Sequence, residues 1–304
     1  MIALLLGVAL AGECTDCHTD THHEGSRHAQ SFSSAPFQAA WRRFPDRWCL
    51  ECHAPSPAQR EAIAPGADGL SAGELVLGAD LSARVPGVSC ETCHLADGVV
   101  QSATRPGLRA RLAHPIVRAP DLGTEVCVGC HQFTAPGGDA WVQTTGLEHA
   151  AWTGAAQCTD CHDAHAVPGA HSDAVRSSIR AEVRREGQVV VAEISASGVG
   201  HRFPTGDPYR QLVLELGDAR GLLARRVIGR SVTGMGADFR EVYDGRMPVP
   251  DAAGNTALRL DLGELPATWW SLRYLLTEPT HWELAPEERG YLLAEGSLAP
   301  PAPQ

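Results

Sequence analysis

The sequence predicts a chain of two unlike parts: a loop-rich region with few short helices over residues 12–172, and an all-β sandwich of immunoglobulin-like type over 173–304. Three observations carry this expectation. All ten cysteines lie before residue 162, in five C-x-x-C pairs that are each followed directly by histidine. The stretch that holds them is rich in Gly, Pro and Ala turns and poor in regular periodicity. From Asp173 onward, apolar and polar residues instead alternate in short runs separated by turn residues.

The bulk composition bounds the rest. With 43% hydrophobic residues and no Gly repeat, the chain is neither disordered nor collagen-like. A net charge of -11 without an offsetting basic stripe argues against a nucleic-acid backbone as partner. There is no lysine, so Arg carries all the permanent side-chain positive charge. Aromatic residues make up only 6%, thin material for a core of this length.

The pairs are Cys14/Cys17, Cys49/Cys52, Cys90/Cys93, Cys127/Cys130 and Cys158/Cys161, followed by His18, His53, His94, His131 and His162. C-x-x-C-H is the attachment signature of c-type haem, in which two thiols form thioethers and the adjacent imidazole ligates iron. A disulfide framework needs no histidine after each pair, and zinc ribbons space their two pairs more closely. Given 14 histidines in 304 residues, five such placements by chance have a likelihood of roughly 10⁻⁷. The reading is therefore five covalently bound haem c groups, which consume every cysteine. About 160 residues wrapped on five porphyrins leave little protein interior, so the porphyrins replace the missing aromatic core.

Residues Met1–Ala11 form an apolar run ending Ala9-Leu10-Ala11 and read as a signal peptide, with the mature chain starting near Gly12. The run is too short to span a bilayer, and no later stretch is apolar enough to do so. Haem attachment takes place outside the cytoplasmic membrane, which places the protein in the periplasm or on the outer surface.

Within 12–172 the helical candidates are Ser31–Arg43 and Trp141–Trp152. In the second part, Arg180–Ile194 reads as a hairpin with a Glu-Gly turn, and Gln211–Leu216 with Leu222–Ile228 as another around Asp218-Ala-Arg-Gly221. Ala257–Leu262, Trp270–Leu276 and Gly290–Gly296 bring the count to about seven strands. The tail from Leu298 reads as a frayed end, and Trp41, Trp48, Trp269 and Trp270 as packing residues.

Beyond the five proximal histidines remain His22, His23, His28, His114, His149, His165, His171, His201 and His281. Methionine is a poor distal candidate, because Met1 lies in the signal and only Met235 and Met247 remain. Bis-histidine ligation is the default, giving low potentials and saturated iron suited to electron transfer.

Several segments carry a resemblance: Ser26-Arg-His28-Ala, Trp48-Cys-Leu-Glu-Cys-His53-Ala-Pro, Gly87-Val-Ser-Cys90-Glu-Thr-Cys-His94 with His114-Pro115, and Cys130-His131-Gln-Phe. His165-Ala-Val-Pro-Gly-Ala-His171 after Cys161-His162, and Gly200-His201-Arg-Phe-Pro-Thr-Gly206-Asp, extend it. Together they resemble the multihaem cytochromes c of the group that contains hydroxylamine oxidoreductase and cytochrome c nitrite reductase. The family places a Trp two residues before the Ser of its S-x-H-A motif, where this chain has Glu24. The resemblance implies His28, His114, His165, His171 and His201 as distal ligands, with His201 reaching a haem only if the β part docks on the first part. His22 and His23 are secondary candidates; His149 and His281 read as surface or structural residues.

The leading functional expectation is an exported pentahaem cytochrome that carries electrons between redox protein partners, other multihaem cytochromes among them, with its acidic surface favouring basic partners. The alternatives are an oxidoreductase acting on a small nitrogen compound at one open haem, and a subunit of an extracellular electron conduit. Pentahaem nitrite reductases in their usual form use a proximal Lys, which this chain lacks.

Overall fold

The computed structural model describes residues 14–299, apart from 17, 19–21, 44–45, 64–86, 168, 172, 235 and 278–283. The signal read at Met1–Ala11, Cys17 and His281 thus lie outside the described residues, as does the side chain of His171.

The helices of the first part are short: α1 (Ala35–Arg43), α2 (Leu50–His53), α3 (Pro57–Ile63), α4 (Cys90–His94), α5 (Leu108–Ala113), α6 (Leu122–His131), α7 (Thr145–Ala151) and α8 (Cys158–Cys161). Four of the five C-x-x-C-H segments lie on or run straight off a helix (α2, α4, α6 and α8), and the first begins in a 3-10 turn at Cys14–Asp16. The reason is geometric, because one helical turn brings side chains three and four apart onto the same face. Helices this short need their ends satisfied. Ser89 and Thr92 form a capping box on α4, and Gln157 and Asp160 form one on α8.

Phe37 and Trp41, four apart on α1, bury one face against Phe32, Leu50, Ala54 and Ile63. The residues ahead of α1, Ser31–Ser34, form turns rather than the predicted helical start. The predicted helix Trp141–Trp152 splits in two. Trp141–Thr144 is a strand, β5, antiparallel to β4 (Gln132–Thr134), and only Thr145–Ala151 is helical. Paired against Phe133, this Trp-Val-Gln-Thr run suits a pleated surface better than a helix. A second small sheet joins β1 (Leu95–Ala96), β2 (Val99–Ser102) and β3 (Ile116–Arg118) in that order.

After α9 (Asp173–Ser178) the chain turns to strands: β6 (Ile179–Glu186), β7 (Val189–Ala196), β8 (Gln211–Asp218), β9 (Gly221–Thr233), β10 (Arg240–Asp244), β11 (Thr256–Glu264), β12 (Trp269–Leu275) and β13 (Gly290–Ser297). A last helix, α10 (Pro286–Arg289), precedes β13. One sheet has the order β10-β9-β8-β12-β13 and the other β11-β7-β6, with every pairing antiparallel. Both sheets feed one core. Val190, Ala192 and Ile194 point inward from β7, Leu212, Leu214 and Leu216 from β8, and Trp270, Leu272 and Tyr274 from β12. The spacing of two puts each set on one face of its strand. Burying each large side chain stabilises the fold by about 1.5–3 kcal/mol.

Two expectations are corrected. The sequence reading missed β10, an edge strand whose residues are almost all exposed, so no buried face imposes alternation on it. Leu298, read as the start of a frayed tail, is buried in the shared core, and its N–H donates to the Thr268 carbonyl.

Candidate haem-attachment sites

Metal–imidazole nitrogen bonds are about 2 Å long, so two imidazoles on opposite sides of one metal have ring centroids roughly 6 Å apart. Four pairs of histidine rings stand at this separation. They are His18 with His114 at 6.2 Å, His28 with His131 at 6.3 Å, His94 with His165 at 6.0 Å, and His162 with His201 at 6.2 Å. Each joins the histidine of one C-x-x-C-H segment to a histidine from elsewhere in the chain. Direct ring stacking looks different: Phe37 lies flat on His53 at 3.9 Å. Among the described residues no three His, Cys, Asp or Glu side chains converge on a metal-sized site. The donor set is thus one of opposed pairs, the set that a porphyrin iron with two axial imidazoles requires.

Local hydrogen bonds orient the rings. Nδ1 of His53 donates to the Ser31 carbonyl at 2.8 Å, that of His94 to Gln101 at 3.0 Å, and that of His201 to Arg202 at 2.9 Å. A carbonyl only accepts, so the proton sits on Nδ1 and the Nε2 lone pair is left for a metal. Burial also favours the neutral ring, lowering the pKa of His28, His53 and His162. For His131, burial and then the neighbouring His28 and Arg210 bring the pKa down to about 4. Neutral imidazole is the ligating form.

The cysteines of the segments influence one another electrostatically in a definite order. Cys14 of the first lies near Cys90 of the third, and Cys93 of the third is within electrostatic reach of Cys130 of the fourth. Cys127 of the fourth interacts with Cys158 of the fifth, while Cys52 of the second interacts with Cys130. The sequence of neighbours is first, third, fourth, fifth, with the second beside the fourth. Cys14 and Cys161, at the two ends of that series, are exposed, and the remaining described cysteines are partly buried.

His201 meets His162 because the β part docks on α7. Glu148 of α7 and Arg246 form an ion pair whose side chains are only 4% and 6% exposed. Arg246 also donates to both oxygens of Asp244 at 2.8 Å and to Thr144 at 3.2 Å. The Thr205 hydroxyl donates to Glu148 at 2.7 Å, and Arg202, next to His201, donates to Asp244. Trp152 closes the contact: its indole N–H donates to the Asp251 carbonyl, and its ring covers Gly200 so closely that a Cβ there would lie 3.0 Å away. Phe203, buried against Tyr274, anchors the His201 loop in the sheet core.

Of the predicted distal set, His28, His114, His165 and His201 each face a C-x-x-C-H histidine. His171 begins no described contact, since its side chain lies outside the described residues. His149 packs against Trp152 at 5.8 Å, a structural contact. His22 is exposed, and His23 lies near His165 and Val88. Sequence reasoning missed the docking network and the carbonyls behind the rings, which leave no local pattern. Two acidic residues, one within the fifth segment and one just after it, also order its backbone. Asp160 accepts from the Gln157 N–H, and Asp163 from the N–H of His165, which sets the turn that presents that ring.

No helix among the described residues is long and apolar enough to cross a membrane. No protein-family model and no curated protein matches the chain. A crystal structure of a penta-heme cytochrome c552 from Thermochromatium tepidum is similar in fold, with a TM-score of 0.64 and 20% identity over 93% of this chain and 97% of that one. The chain thus shares the fold of a multihaem cytochrome c along nearly its whole length.

Proposed function

We propose that the protein is an exported pentahaem c-type cytochrome that carries electrons through bis-histidine haems. The observation that carries this reading is the set of four opposed imidazole pairs at 6.0–6.3 Å, each built on a C-x-x-C-H segment. Bound there, haem supplies a one-electron iron couple whose potential the protein sets through ligands and burial. The cysteine pairs would tether the groups, and the paired imidazoles would hold the iron: His18 with His114, His131 with His28, His94 with His165, and His162 with His201. For the second, at His53, His171 is the remaining member of the predicted set. The contacts between attachment segments support a path from first to third to fourth to fifth, with the second as a branch on the fourth. The likeness to a penta-heme cytochrome supports the haem reading, and the Ala-x-Ala run before Gly12 supports export to the periplasm.

The domains proposed are a pentahaem part over 12–172 and a β part over 173–304. An immunoglobulin-like type for the latter is supported by its strand order, with β7 central in one sheet and β8 and β12 adjacent in the other. In this reading the β part is a ligand-bearing clamp, since it supplies His201.

One observation favours a second reading, an oxidoreductase with an open haem. Among the described side chains, His53 is the proximal histidine with a phenyl ring beside it and no imidazole opposite. Electron paramagnetic resonance of the oxidised holoprotein, with and without nitrite, decides. Five low-spin haems indifferent to nitrite support the carrier. A high-spin signal perturbed by nitrite overturns it in favour of the enzyme.

A further inference from the structure

We propose that the surface around α5, beside the first attachment segment, is the docking site for an acidic redox partner. The inference rests on the electron-carrier reading and adds the place and chemistry of one encounter. Residues 105–118 hold four arginines (Arg105, Arg109, Arg111 and Arg118) and no Asp or Glu, in a chain whose net charge is -11. All four are exposed, and none is paired with a carboxylate among the described residues. This local excess of positive charge opposes the sign of the whole molecule, so it steers acidic proteins to one place on a surface that otherwise repels them.

The same element presents apolar surface. Leu108 and Leu112, four apart on one stripe of α5, are 75% and 79% exposed, and Val117 on β3 is exposed as well. Large aliphatic side chains ringed by arginines match the make-up of a transient protein interface, with an apolar centre and a charged rim.

The patch leads directly to a redox group. His114 caps the C-terminus of α5, its N–H donating to the Ala110 carbonyl, and its ring faces His18 at 6.2 Å. A partner seated on α5 therefore sits one residue from the distal ligand of the first haem, at one end of the path of attachment segments.

The test uses oxidised holoprotein and two reductants in stopped flow: reduced flavodoxin, an acidic one-electron carrier, and reduced methyl viologen, a small cation. For the wild type, the flavodoxin rate falls as salt rises. Arg109→Glu and the pair Arg105→Glu/Arg109→Glu lower that rate by about 10-fold or more at low salt and flatten its salt dependence. The methyl viologen rate and the haem stoichiometry stay at the wild-type level, and Arg226→Glu on the exposed face of β9 leaves the flavodoxin rate within about twofold. Wild-type rates and salt dependence in both α5 variants, or an equal loss in Arg226→Glu, overturn the docking surface while leaving the carrier reading intact. If methyl viologen fails to reduce the wild type, the carrier reading falls and the docking surface with it.

Discussion

Replacing Arg246 by leucine removes the cation that joins the β part to α7. The change strips four hydrogen bonds, to Glu148, both oxygens of Asp244, and Thr144. Glu148, 4% exposed at its side chain, then keeps only the hydroxyls of Thr144 and Thr205. Breaking a buried ion pair by deleting one partner costs about 3–5 kcal/mol, because the other group stays desolvated and uncompensated. At about 2–4 °C per kcal/mol for domains of 150–250 residues, the melting temperature falls by on the order of 10 °C. Glu148→Gln alone is costly for the same reason. The double variant Glu148→Gln/Arg246→Leu is expected to lose less than the two single losses combined, by about 1–3 kcal/mol, since no unpaired charge remains. Thermal melts of the four proteins measure this cycle. In the same samples the optical spectrum reports whether one haem turns high-spin as the hold on His201 slackens. A loss for Arg246→Leu within about 0.5 kcal/mol of wild type, or strict additivity in the cycle, refutes the argument that this network holds the docked state.

Two further outcomes follow from single sites. Burial raises the Asp244 carboxyl, but Arg246, by hydrogen bond and charge, and then Arg202 outweigh it and hold the pKa down at about 2. A depressed folded pKa contributes stability above the unfolded value near 4 that is lost as pH falls through about 2. Acid titration of stability should therefore show about 2 kcal/mol lost across that window, and a smaller loss in Arg246→Leu, where Arg202 alone still faces Asp244. At Gly87, an added Cβ would lie 2.4 Å from the His28 carbonyl and 2.6 Å from the Ser31 amide, both backbone atoms that cannot swing aside. Gly87→Ala should cost about 2–3 kcal/mol by denaturant melting and shift the low-spin signal of the haem that His28 faces.

The candidate attachment segments were legible in sequence because each is local: two sulfurs and an imidazole fall within five residues, and the string C-x-x-C-H recurs five times. The strands were legible for a related reason. Burial on one face writes a period of two into β7, β8 and β12, whereas exposed β10 carries no such record. The helical expectation over 141–152 failed because pairing with β4 at Phe133, and a hydrogen bond to Val142 from Arg230 88 positions away, decided the local backbone.

By itself, then, the sequence carried the C-x-x-C-H strings on which the haem reading rests and showed roughly where the β strands run. The tertiary structure alone decided which distant imidazole stands opposite the histidine of four of these segments. His114 reaches His18 across 96 positions, and His201 reaches His162 only because Glu148 and Arg246 bury their charges together. Such pairings have no local signature, since any neutral imidazole is chemically competent and only packing selects among them. The polarity of the surface was decided in the same way: a net charge of -11 says nothing of four arginines gathered around His114 with no carboxylate partner among the described residues.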